Sequence, residues 1–344
     1  MKRIGIALST GCAIALVAAL VPAVASGVNV EAPGTSSFSI DDRKKPKPTK
    51  KPQPKAPVPI QAKHVGDWVN RNWDSLDKAS PTFQYFVDPL VQGSPWEADT
   101  LSGAAVAFGI HEALGYPIER EFRVYMGWDH QWIADNLPPE ACSGGFWGPA
   151  SMCWGTNVIL ANFKAWRDFY YIGYTPESGP RPDDRIHVVG QLPHELTHMV
   201  QEEISPWPEQ RIWRSNNYWL LEGWAMLVQG IAAAKIYNMP YVKMRDYNLQ
   251  SMGSECKKDK LKDMLDKKSP RQCEYLSGLL AMEYLVWKTG DMAAGLTYMR
   301  QDAESAHEAF RLAFSLDLDA FMAEADRYVQ REIALWPLRK NAPK

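Results

Sequence analysis

Residues His194-Glu195-Leu196-Thr197-His198 constrain this chain more than any other stretch. On a helix, positions i and i+4 lie on one face, so both imidazoles point the same way and can share one metal ion. Glu195 lies one step, about 100°, from His194. It flanks that face, within reach of a water at the metal without being a ligand. The chain enters this helix from Arg185. Pro193 is expected in its first turn, with the regular helix starting near Gln191 and ending near Ser205-Pro206. The plainer reading is two surface histidines on an ordinary helix, so the choice rests on partner residues elsewhere.

A tetrahedral catalytic zinc takes three protein ligands and keeps one position open for water. A histidine extension of the HxxGxxH kind needs its glycine and histidine at 201 and 204. Gln201 and Ile204 stand there, which excludes it. An acidic ligand on a following helix is the main alternative, and Glu222 fits. It sits in Leu220-Leu221-Glu222-Gly223-Trp224, on an otherwise apolar helix. A lone carboxylate on such a face is costly to bury unless it is paired or metal-bound. Gly223 beside it permits close approach of another helix. Against this stands a partly exposed glutamate at a helix start, where the dipole favours acid.

Export is expected from the first residues. Lys2 and Arg3 form a short basic region, Ile4 to Val21 is almost wholly apolar, and Ala23-Val24-Ala25 is a small-x-small cleavage site. Residues 1–25 read as a signal peptide. Cys12 comes too early in the apolar run for lipidation. No later segment reaches about 18 uninterrupted apolar residues, so no membrane span is expected after the signal is removed. Removal of Cys12 leaves Cys142, Cys153, Cys256 and Cys273. An even count in an oxidising compartment reads as disulfides. Of the possible connectivities the two local pairs, Cys142–Cys153 and Cys256–Cys273, are favoured, because each closes and pins a loop.

Residues 26–63 read as a disordered linker. Arg43 to Pro59 alternates Lys and Pro and cannot bury apolar surface. The chain holds 38 basic and 40 acidic residues, of which the first 63 positions hold 10 and 3, leaving 28 against 37 for the remainder. A basic tether on an acidic body suggests attraction to an anionic cell-envelope polymer, with a solvated spacer as the plainer reading. The acidic exported body argues against nucleic acid as a partner. A monomer is expected.

Residues 64–340 suffice for one large domain or two lobes sharing a cleft. Helices are expected over 64–79, 96–114 (closed by Gly115), 128–137, 218–237, 272–288, 292–300, 306–314 and 317–335. Strands are expected over 121–126 and 157–161. Residues 138–156 read as a Gly- and Trp-rich loop, and 241–270 as a polar, Lys-rich insertion with one short helix. A strand-containing first half followed by a helical second half indicates an α+β class.

HELTHMVQ followed by WLLEGWA resembles the gluzincin, or peptidase MA-like, superfamily of zinc metallopeptidases, whose thermolysin-like domains use HExxH plus a downstream Glu. CEYLSGLLAMEYLVWKTG and HEAFRLAFSLDLDAFMAEADRYV are similar to its C-terminal helices, so the likeness covers about residues 185–335. It implies a zincin-like fold: a small mixed sheet with the active-site helix (64–205), then an all-helical C-terminal lobe (206–340). It implies His194, His198 and Glu222 as Zn2+ ligands and Glu195 as general acid/base in peptide-bond hydrolysis. A tyrosine or histidine often supports the oxyanion; Tyr275, opening the next long helix, is the candidate and Tyr284 the rival. Two departures stand out. Many gluzincins carry an Asp four residues after the ligand Glu to orient a histidine, and Met226 occupies that position, so no acceptor for the histidines is identified. The segment PWPEQRIWRSNN between His198 and Glu222 reads as a substrate-side loop.

Two other functions compete. One is a catalytically inactive zincin-fold protein that binds at the cell envelope, against which the intact Glu195 speaks. The other is a cell-wall amide hydrolase that uses the Lys/Pro tail for residence. His130 beside Asp129 is a weaker second metal point. The other histidines (His64, His111, His187, His307) read as structural, with at most one near the site. Most of the tryptophans read as core, with Trp147 and Trp154 as candidates for ligand contact.

Overall fold

Val158-Ile159-Leu160-Ala161-Asn162 is buried along its whole length, as expected of a central strand covered on both faces. The computed structural model describes residues 56–79, 83–142, 149–165, 175–179, 185–207, 218–249, 256, 261 and 271–340. The segment assigned to the signal peptide, most of the linker, Trp147, residues 208–217 and most of 250–270 lie outside them. Within the described residues four strands form one mixed sheet: β1 (Gln84–Val87), β2 (Arg123–Gly127), β3 (Ala150–Cys153) and β4 (Val158–Asn162), in the order β1-β2-β4-β3. β1, β2 and β4 are parallel; β3 runs antiparallel to β4, with Ala150 opposite Ala161 and Cys153 opposite Val158. Alternation sorts the side chains: Val124, Met126, Ile159 and Ala161 enter the main core, while Tyr125, Val158 and Leu160 meet Ile133 on the other face.

The helices are α1 (Ile60–Asn72), α2 (Pro95–Ala113), α3 (His130–Asn136), α4 (Arg185–Ile204), α5 (Tyr218–Ile236), α6 (Tyr241–Asn248), α7 (Arg271–Thr289), α8 (Ala294–Met299), α9 (Ala306–Phe314) and α10 (Leu318–Lys340). All four strands precede α4 and the elements after it are helical, so the class is α+β with a small mixed sheet. α1 begins four residues inside the segment read as linker, because Gln61, Ala62, Val65, Trp68 and Val69 form its buried stripe. α2 ends at Gly115, whose φ of 80° allows the expected left-handed stop.

Three sequence expectations are corrected. β3 lies inside the span read as a loop, and β1 was not foreseen. α4 begins at Arg185, so Pro193 stands in the helix interior rather than its first turn. A proline there frees the carbonyl four residues earlier, that of Val189. That carbonyl lies against Gly103 of α2, where an added Cβ would stand 2.4 Å from it. The glycine makes room for the distorted turn, so α4 continues through the proline. Finally, a short helix does lie within 241–270, at Tyr241–Asn248, but it is packed into the body through Tyr241, Met244, Arg245 and Asn248 instead of standing out as a polar insertion. Arg245 is fully buried and bonds Glu283 of α7 (2.8 Å) and Glu332 of α10 (2.8 Å), with Tyr241 and Tyr328 also on Glu283. α6 is thereby tied to the body.

Two disulfides are present, Cys142–Cys153 and Cys256–Cys273, with Cα separations of 5.3 and 5.2 Å. They fit an oxidising, extracytoplasmic compartment. No helix among the described residues is long and apolar enough to cross a membrane.

Candidate metal centre

α4 is buried on every side from Val188 to Gln201, held between α2, α5 and the sheet. Its registry with α5 is set by small residues. An added Cβ at Gly190 would stand 2.5 Å from the Gln229 side chain. This close packing brings His194, His198 and Glu222 together, at 8, 4 and 2% exposure. Glu222 Oε2 lies 3.0 Å from His194 Nε2 and 3.4 Å from His198 Nε2, and the two Nε2 atoms are 3.2 Å apart. Corners of a tetrahedron with bonds of about 2.0–2.1 Å are about 3.3 Å apart. The three donors thus already have the mutual spacing of metal ligands. Among the described residues they form the one cluster of His, Cys, Asp or Glu able to hold a metal ion.

The imidazoles are oriented from behind. His198 Nδ1 lies 2.7 Å from Gln201 Oε1, and the Gln201 amide nitrogen donates to the Leu221 carbonyl at 3.1 Å. That second bond fixes which amide atom faces the ring. His198 Nδ1–H is the donor, so Nε2 is the ring nitrogen that faces Glu222 and the centre, where a proton or a metal can sit. His194 Nδ1 meets Gln229 Oε1 at 3.1 Å in the same manner. The acceptors not found in the sequence are therefore two glutamines. Gln201 is three residues after His198, and Gln229 is seven after Glu222, so each shares a helix face with the ligand it serves or neighbours.

Charge is arranged around this core. Burial opposes a charge on His198, yet the neighbouring Glu222 carboxylate holds its pKa up at about 9. Burial would raise the Glu222 pKa, but His198 and His194 draw it well below the usual carboxylate range. Glu195 is not among the three donors. Burial raises its pKa, opposed by the two histidines and by a backbone hydrogen bond from Met152 of β3. A raised carboxylate pKa suits proton transfer near neutrality.

Tyr275 on α7 is half-buried, with its ring centroid 5.8 Å from that of His194 and 6.5 Å from Tyr218. Tyr284 packs instead with Trp287, Phe321 and Tyr328 and bonds Glu324, which makes it a structural residue. Asp129 caps α3 through the Trp132 N–H, and among the described residues His130 joins no metal-binding cluster. His111 is buried, bonds Thr197 Oγ1 at 3.2 Å, and is kept neutral by burial, with its pKa lowered to about 3. Trp154 is half-buried against the core.

No family model, curated protein or solved structure matches this chain.

Proposed function

We propose that the chain is an exported zinc metallopeptidase of the gluzincin type, with a zincin-like fold, hydrolysing peptide bonds. The observation that carries this reading is the spacing of His194, His198 and Glu222, combined with a second carboxylate, Glu195, held beside them but outside the set. The donor set of two imidazoles and one carboxylate suits Zn2+ with an open position. Zinc held there supplies a Lewis acid that acidifies water and polarises a carbonyl.

The chain's own residues then divide the remaining work. Glu195 takes the proton of the attacking water and delivers it to the leaving amine. The Tyr275 hydroxyl is the donor for the developing oxyanion. β3 is the outer strand of the sheet, and its Met152 N–H turns towards Glu195, so its unpaired edge opens on the site. An extended peptide adds to that edge as a further strand, laying its backbone across the reacting groups. The 1–25 leader and the Lys/Pro tail support export and residence near an anionic envelope polymer. Glu195, with its raised pKa, favours this reading over an inactive binding protein.

The test is Glu195→Gln. It should keep one zinc per chain and lose turnover on mixed peptides by about a hundredfold to ten-thousandfold. A variant that stayed active would remove Glu195 as the base. A native protein that took up no zinc would remove the reading as a whole.

A further inference from the structure

The carboxyl ends of β2 and β4 lie side by side, with Gly127 opposite Asn162. Ligands commonly settle outside the carboxyl ends of parallel strands. A cavity of about 360 Å³ opens there, lined by Asp129, His130 and Gln131 on one side and by Asn162, Lys164 and Ala165 on the other. That is the size of a small-molecule pocket, which starts at roughly 300 Å³. Along β4, Ile159 and Ala161 share the main core with Leu192 and Leu196 of α4, while Val158 and Leu160 meet Ile133 of α3. Alternation puts Asn162 with the second set. The cavity therefore lies on the α3 face of the sheet, away from α4 and the clustered donors His194, His198 and Glu222.

Local bonds determine which atoms face the cavity. Asn162 is 6% exposed, and its Oδ1 accepts from the Ala165 N–H at 3.1 Å. That bond fixes the amide, so Nδ2 is the atom left for the cavity. Among the described residues it has no hydrogen-bond partner, and it is not sealed from solvent, so a ligand can reach it. Asp129 is divided in the same way. Its Oδ1 accepts from the Trp132 N–H at 3.1 Å, and its Oδ2 stands 4.0 Å from Lys164 Nζ. That separation is too long for a hydrogen bond, so the two charges face each other without being joined. The Lys164 backbone N–H donates to the Trp128 carbonyl at 2.7 Å, which holds the two strand exits together.

We propose that this cavity binds a free α-amino acid as its zwitterion. The ligand carboxylate accepts from Lys164 Nζ and Asn162 Nδ2, and the ligand ammonium donates to Asp129 Oδ2. An α-amino acid carries both charges on one carbon, so it can meet both side chains at once. A simple anion would meet Asp129 and a simple cation would meet Lys164, and like charges side by side are penalised. An uncharged polyol lacks the paired charges, and hydrogen bonds between ionised groups are about twice as strong as neutral ones. A residue inside a peptide chain has neither free terminus, so this is no substrate subsite, and the proposal does not depend on the peptidase reading.

The experiment titrates the full chain calorimetrically with L-alanine, which offers the two backbone charges and little else. N-acetyl-L-alanine and L-alaninamide each lack one charge, and glucose lacks both. L-Alanine should bind saturably at one site per chain, and the blocked forms and glucose about tenfold or more weakly. Asn162→Asp keeps the acceptor for Ala165 and replaces the donor with a negative charge. Lys164→Met keeps the aliphatic stem. Each should weaken L-alanine about tenfold or more. Lys164 is 43% exposed, so its variant keeps the fold and carries the test if Asn162→Asp does not fold. No saturable binding of L-alanine up to about 10 mM overturns the proposal, since that leaves less affinity than even a weak site supplies. Equal binding of a blocked form or of glucose overturns it too, as does native affinity in Lys164→Met.

Discussion

At the residue scale, two glutamines stand behind His194 and His198, and on the proposed reading they would set how tightly the centre holds an ion. Gln201 is fully buried and bonded on both sides, so its role cannot be separated from packing. Gln229 is half-buried and has one partner of interest, His194 Nδ1 at 3.1 Å. Replacing it by Leu leaves that N–H without its acceptor and the ring free to turn. Gln229→Leu is therefore expected to weaken zinc about tenfold to a hundredfold in competition with a chromophoric chelator, while Gln229→Glu, which keeps an acceptor, should bind at least as well as the native chain. Equal affinities in all three would show that the acceptor is idle. The cluster of His194, His198 and Glu222 was legible in the sequence because the histidine spacing is periodic and because Glu222 is out of place on an apolar helix. The acceptors were not, because a neutral glutamine is an unremarkable residue and attention fell on Met226, where a carboxylate was wanted. Spacings of three from His198 and seven from Glu222 were the available signal.

At the scale of elements, long helices declared themselves through their period, and short strands did not. β1 and β3 are four residues each, and neither alternates between buried and exposed positions. Pro193 misled in the other direction, since nothing local announces that Gly103 will make room for the distorted turn. Glycines again govern the crossing of α5 and α7. A Cβ at Gly223 would stand 2.4 Å from the Gly278 backbone, and one at Gly278 would stand 2.5 Å from the Trp219 carbonyl. Gly223 follows Glu222, and Gly278 lies one turn after Tyr275, so this contact fixes the tyrosine relative to Glu222. Gly278→Ala must separate the two helices, because backbone rather than a flexible side chain blocks the methyl group. The expected cost is about 1–3 kcal/mol of stability. All three proposed ligands lie on α4 and α5, so on the proposed reading zinc content should stay near one per chain while kcat falls about tenfold or more, with less change in KM. Loss of zinc in parallel with turnover would mean that the crossing serves the ligands and not the tyrosine.

At the scale of the whole molecule, the buried Glu222 carboxylate requires a cation, and a proton or a metal can supply it. This gives zinc-free and zinc-loaded protein opposite responses to pH. In the zinc-free chain His198 titrates at about 9, against 6.5 for a free imidazole. A folded-state pKa above the unfolded value contributes stability that is complete below the unfolded pKa and is lost as pH rises through the folded one. The zinc-free protein should therefore lose up to about 3 kcal/mol between roughly pH 6.5 and 9. Glu222, held below its usual range, contributes above about pH 4.5, and that contribution fades as the solution becomes more acid. On the proposed reading zinc would take the proton's place between the same side chains, so its affinity should rise over the interval in which the zinc-free protein weakens. Stabilisation by a ligand that binds only the native state grows with its concentration relative to Kd. Thermal melts from pH 6 to 9, in excess chelator and in excess zinc, should accordingly diverge as pH rises, the chelated curve falling and the zinc curve holding. Parallel curves would show that proton and metal do not compete for these three side chains, and the centre inferred from their spacing would not be a metal site.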